Sequence, residues 1–173
     1  VGIEFALIGG METEAAMTRL INLQQQTGFM YGDLTRQQYL LLDAQEQSNT
    51  VRRNSMAILD QLNTIENRSA ATMSQITFVM NQFASQADMT GESIGAMAAQ
   101  SAVMIEAGEE QGKAGRALKM IYARLGADTN GAATTLQNFG VATHDSSGNL
   151  RSLSQILKDL SVLSSKPNWI IVL

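Results

Sequence analysis

Apolar positions recur every third or fourth residue along this chain, and polar or glycine-containing steps interrupt them. That spacing lines up side chains on one side of a helix. Val51, Ser55, Ile58, Leu62 and Ile65 follow one another in this way. They predict a buried face on a helix running from about Leu34 into the sixties. Met73, Ile76, Met80, Phe83 and Ala87 form the next stripe. Thr72 precedes it, and Gln75 three residues later completes the pattern of a capping box. Ile94, Met97, Ala98, Ser101, Met104 and Ile105 face inward from a following helix, with Thr90 as its cap and Gly108 as its end. Ala114, Ala117, Leu118, Ile121 and Leu125 line another, which stops at Gly126.

The remaining elements are set by their boundaries. Glu12 and Glu14 open the first helix, where the dipole favours acids, and Thr27-Gly28 closes it. Asp33 is placed to cap the second. The polar middle of that helix, from Asp43, is expected to be solvated or broken near Ser48-Asn49. A short helix covers Ala132 to Asn138 and ends at Gly140. Residues 141 to 151 alternate around Asp145-Ser146-Ser147-Gly148-Asn149 and predict a small hairpin. Ser152 caps the last helix, with Leu153, Ile156, Leu157 and Leu160 on one face. The fold expected is all-α, an irregular array of about six helices with one small β-hairpin near residues 141–151. No fixed-period repeat is present, and no heptad pattern lasts long enough for a coiled coil.

Composition sharpens this picture. Hydrophobic residues make up 45% of the chain but aromatic residues only 5%, and there are 10 Met. Small and flexible side chains allow close helix contacts. The single proline, Pro167, leaves every upstream helix uninterrupted. Net charge is −4 and no run of basic residues stands out, so direct nucleic-acid binding is not expected. No cysteine is present. No apolar run approaches the roughly 18 residues of a membrane span.

Several patterns resemble functional motifs and fail on chemistry. Gly108, Gly112, Gly115 and Lys119 suggest a phosphate loop. However, Ala107 stands where that loop needs its first glycine, and Ala114 follows Gly112-Lys113 where it needs Ser or Thr. A helix boundary together with close helix packing is the expected role of these glycines. Asp145 to Asn149 offers alternating oxygens, but no Glu follows at the calcium-loop position, and a turn is expected. His144 is the only histidine and has no metal-ligand company. Glu106, Glu109 and Glu110 read as a solvated acidic turn. Met73, Met80, Met97 and Met104 read as core, with a binding groove as the alternative. No catalytic residue, cofactor or metal site is therefore expected.

Three stretches, in order, resemble the core region of phage tail tape-measure proteins. The first runs from Leu59 and carries Leu62, Asn63, Asn67 and Ser69 ahead of a new helix. The second runs from Ala96 and carries Gly108, Gly115, Ala117, Leu118 and Lys119. The third carries Phe139-Gly140-Val141, Asp145, Gly148, Asn149 and Leu150. The resemblance spans Leu59 to Leu160. It divides the chain into N-terminal helices over 1–58, incomplete at their start, a tape-measure-like region over 59–163, and a tail over 164–173. That apolar tail departs from the family pattern and reads as a truncated or frameshifted end, expected to pack poorly from Ser164 onward.

The resemblance implies a structural role, in a scaffold whose length sets tail length and whose chain is released through the tube during genome delivery. It implies as partners other copies of the chain, tail tube and tail tip proteins, and tail assembly chaperones. Any membrane contact would belong to the full-length protein and not to this segment. The location implied is the lumen of the virion tail, and the host cytoplasm during assembly. The alternative from a different class is a helical protein–protein interaction module, an adaptor or regulator without catalysis.

Overall fold

The computed structural model describes residues 12–165. The start of the N-terminal region up to Met11, and the tail from Lys166 with Pro167, lie outside them. The described chain forms eight α-helices and two short 3-10 turns, with no strand among the described residues. The helices are α1 (Thr13–Thr27), α2 (Arg36–Leu40), α3 (Ala44–Glu66), α4 (Met73–Asp88), α5 (Ile94–Glu106), α6 (Gln111–Gly126), α7 (Ala132–Asn138) and α8 (Leu153–Ser164).

Helix α4 is the centre of the array. Met73, Ile76, Val79, Met80, Phe83, Ala84 and Ala87 are all fully buried. These positions cover more than one side of the helix, because α4 packs against α1, α3, α5 and α6. Helix α6 makes its main contact there, and Gly115 is what lets it approach. A Cβ at Gly115 would lie 2.8 Å from Gln82 Cβ and 2.6 Å from Gln82 Cδ. One continuous apolar cluster follows, running from Ala16, Leu20 and Leu23 through Ile58 and Leu62 to Leu153 and Ile156. Met73, Met80 and Met97 are fully buried within it, and Met104 packs against it. The methionine stripe is core.

Helix starts are written in side chains. Thr72 accepts from Gln75 N while the Gln75 side chain accepts from Thr72 N, so the expected capping box forms. Two further boxes, Thr35 with Gln38 and Asp43 with Glu46, were not anticipated and correct the expectation of one long second helix. The break falls at 41–43, while the stretch through Ser48-Asn49 stays helical and solvated, and the cap expected at Asp33 falls to Thr35. The polar stretch continues as helix because it holds no glycine or proline and because Asp43 and Glu46 satisfy its first amides. The cap of α5 is Ser93, whose hydroxyl accepts from Ala96 N. Thr90 instead donates its hydroxyl to Ala87 O.

Several helix ends close on glycines in the left-handed region. At Gly108 (φ +88°), Gly108 N donates to Ile105 O and Glu109 N to Met104 O. The same pair of bonds closes α7 around Gly140, from Gly140 N to Gln137 O and from Val141 N to Leu136 O. Both are Schellman ends.

The hairpin expected at residues 141–151 does not form. One isolated antiparallel bridge joins His144 to Leu150. Arg151 N donates to Thr143 O and Asp145 N to Asn149 O. The pairing cannot extend, since Val141 and Thr143 are buried against the helices and Ser152 already begins α8.

Candidate interaction surfaces and polar contacts

The turn residues Asp145, Gly148 and Asn149 build a closed local unit. Asp145 Oδ1 accepts from Ser147 N at 2.8 Å and Asn149 N at 2.9 Å, and Oδ2 accepts from Asn149 Nδ2 at 3.3 Å. The Asn149 amide leads in holding this exposed carboxyl below the usual range. Its oxygens serve the turn instead of pointing at a shared ion site. Gly148 takes the positive φ the turn requires. His144 is half-buried with Nδ1 3.0 Å from Thr143 Oγ1. Among the described residues no three His, Asp or Glu side chains gather as a metal site would require.

The positions that resembled a phosphate loop fall on a helix junction. Gly108 ends α5, Gly112 lies in the first turn of α6, and Gly115 faces α4. Leu118 is buried three residues on, whereas Lys119 is exposed. Gly108 and Gly140 lie at helix ends and Gly115 at a helix contact. Glu109 and Glu110 are exposed. Glu106 is exposed too, but its Oε1 accepts from Ala70 N at 2.8 Å and ties the end of α5 to the α3–α4 connection.

One polar cluster is not visible in the sequence patterns. Glu92 is only 4% exposed, just ahead of α5. Its Oε2 accepts from Tyr122 Oη of α6 at 2.9 Å and from Ser154 N of α8 at 3.2 Å. Gln100 Nε2 donates to Ser154 Oγ at 3.3 Å. The Tyr122 ring stacks on Phe83 of α4 with centroids 5.9 Å apart. Burial pushes the Tyr122 hydroxyl well above its ordinary range, and the Glu92 charge adds to this. Tyr122 is thus a neutral donor, and the cluster clamps α5, α6 and α8 together. The available signal is an acid directly after Gly91, a position where a Schellman end usually places an apolar contact. Asp128 is a further cap that the sequence patterns do not show. Its carboxylate accepts from Ala133 N, Thr134 N and Thr134 Oγ1 at the start of α7.

The outer surface carries two contrasting faces. On α6, Lys113, Arg116, Lys119 and Arg124 are all exposed, and the helix contains no acidic residue. At the α2–α3 corner, Leu40 and Leu41 stand in solvent beside Asp33, Asp43 and Glu46. A cleft of about 380 Å³ near that corner is lined by Tyr31, Asp33, Thr50, Arg53 and Asn54 among others. No described helix is long and apolar enough to cross a membrane.

Comparison with curated proteins and with solved structures returned no match. The sequence model of a family described as "Phage-related minor tail protein" matches residues 6–166. That match includes every described helix. The chain belongs to the phage-related minor tail protein family.

Proposed function

We propose that this chain is a tape-measure component of a phage or prophage tail, acting mechanically through helix packing and without a catalytic step. The observation that carries the reading is the family match over residues 6–166, joined to the ordered motifs from Leu59 to Leu160. The architecture is compatible with it. Most of the helices start at a side-chain cap, and units of this kind can pack against one another or against neighbouring chains. The partners proposed are other copies, tail tube and tail tip proteins, and assembly chaperones. The site of action proposed is the tail lumen, reached from the host cytoplasm during assembly.

The test is tail length. An in-frame deletion of α3, 23 residues long, is made in the phage gene and tails are measured by electron microscopy. A ruler that works as an extended helix loses about 35 Å, at 1.5 Å per residue. Tails of unchanged length that still contain the shortened chain would remove the ruler role and leave a minor tail protein of another kind. Tails that assemble normally without the chain would remove the tail role itself.

A further inference from the structure

The four exposed basic residues of α6 dominate the charge distribution of this molecule. The whole chain has 12 basic and 16 acidic residues, for a net charge of −4. Lys113, Arg116, Lys119 and Arg124 lie on α6, which has no acid. The remaining residues therefore carry 8 basic against 16 acidic, a balance of −8. A +4 face on an otherwise acidic body is not visible in the linear sequence, because helical spacing is what gathers the four charges. The one ion pair there joins Lys113 to Glu110 at 3.9 Å between two exposed side chains, and such a pair neutralises little. Lys113, Arg116 and Lys119 stand three apart, an arrangement that is self-repelling in isolation. Apolar groups share the face. Met120 is 48% exposed and Ile121 37%.

The α2–α3 corner has the complementary character. Leu41 is 86% exposed and Leu40 59%, and Leu41 exceeds every other large apolar side chain described. Around them Asp33, Asp43 and Glu46 are exposed, against two bases, Arg36 and the Arg53 that lines the cleft with Asp33. The corner shares no substantial packing with α6, which lies against α4, α5 and α7. The two faces are thus separate patches on one molecule, one basic with some apolar groups and one chiefly apolar with a small excess of acids.

We propose that the α2–α3 corner of one copy docks on the α6 face of the next, making a head-to-tail contact between copies of this chain. This deepens the proposed packing with other copies and rests on that reading. Two different patches meeting in this way give a heterologous interface, which closes into a ring or continues as an open filament. The leucines bury apolar surface against Met120 and Ile121, and the acids answer the lysines and arginines. A protein partner fits better than a nucleic acid. The basic stripe is interleaved with apolar residues, and a body of −8 repels a polyanion.

The experiment uses the unmodified chain and two variants in sedimentation equilibrium. One variant, Arg116→Glu with Lys119→Glu, removes the basic face and keeps the corner. The other, Leu41→Glu, removes the corner and leaves the Asp43–Glu46 cap untouched. The unmodified chain is expected to grow in mass with concentration, and to associate about tenfold more weakly when salt rises from 50 to 500 mM. Each variant alone is expected to be monomeric, with an unchanged helical circular dichroism spectrum. A mixture of the two retains one working corner and one working α6 face, so it should stop at a one-to-one dimer. An unmodified chain that stays monomeric, a variant that associates as the parent does, or a mixture without dimer would each overturn the proposal. If a variant misfolds, carbodiimide cross-linking of mixed isotope-labelled and unlabelled parent chain decides. Lys113 or Lys119 should bond between chains to Asp43 or Glu46, and cross-links confined to other residues would sink the contact. A monomeric chain that is nevertheless found in purified tails would defeat this contact and leave the tail role standing.

Discussion

Gly112 and Gly115 are three residues apart in α6 and meet opposite surroundings. A Cβ at Gly112 would touch only side-chain atoms at 3.5 Å or more. Gly112→Ala should therefore stabilise the chain by about 0.5 kcal/mol, since alanine gives up less freedom in a helix. At Gly115 the added carbon would sit 2.8 Å from Gln82 Cβ, which cannot move without the α4 backbone. Overpacking of roughly 1–3 kcal/mol outweighs the helix-propensity gain of about 1 kcal/mol. Gly115→Ala should lower stability by about 1 kcal/mol. Urea titration of both variants checks the opposite signs. Tyr122 gives a pH test. Its folded pKa is raised, so the folded chain holds a proton that the unfolded chain releases near pH 10. Its stabilising contribution is complete below that pH and is lost as pH rises beyond it. Tyr122→Phe should flatten the alkaline decline in stability, and an unchanged decline would count against the clamp. Gly115 was legible in the sequence as a packing glycine because any side chain there would separate helices. Glu92 was not legible, because its partners Tyr122 and Ser154 are far away in sequence and only the fold brings them to it.

At the scale of helices, caps decided more than stripes. The stripe from Met73 to Ala87 was readable because Met73, Ile76, Met80, Phe83 and Ala87 keep helical spacing, and all five are buried, whereas Phe78 between them is exposed. The stripe of α6 was only partly readable. Ile121 fits the period but lies at the edge of the buried side, whereas Tyr122 takes the core position through its hydroxyl bond. Leu157 likewise follows the α8 pattern and is half exposed. The boundary at 41–43 escaped the pattern because the helices on either side of it are mostly polar, so no change in periodicity marks it. Only the side-chain chemistry of Thr35, Gln38, Asp43 and Glu46 shows it. The contrast between Thr72 and Thr90 tests this. Thr72→Ala removes an N-cap and should cost about 1 kcal/mol. Thr90→Ala loses one hydroxyl donor to a helix end and should cost about 0.5 kcal/mol. Equal losses in chemical denaturation would mean that the Thr72 box contributes little.

At the scale of the whole molecule, α4 makes the array one body. Its buried residues are shared among α1, α3, α5 and α6, so none of those helices keeps a complete core without it. The motifs from Leu59 onward made that stretch look separable from residues 1–58, since the signals on either side differ. Packing runs across that position. Leu20 and Leu23 of α1 and Ile58 of α3 lie in the same cluster as Met73, Ile76 and Met80. Arg19 also reaches Ser74 of α4 with a guanidinium hydrogen bond of 2.7 Å to the carbonyl. The consequence concerns truncation. A chain beginning at Gly28 loses Leu20 and Leu23, each contributing roughly 1.5–3 kcal/mol when fully buried. It also bares the face of α4 that they cover. Against a total stability of about 5–15 kcal/mol for an ordinary domain, that loss is a large fraction. The full chain should show one urea transition, coincident by far-ultraviolet circular dichroism and by tyrosine fluorescence. The shortened chain should have a much lower midpoint and bind a hydrophobic dye before it unfolds. A shortened chain with the midpoint of the parent would mean that α1 is a loosely attached element. The core would then have to be drawn around α3 to α6 alone.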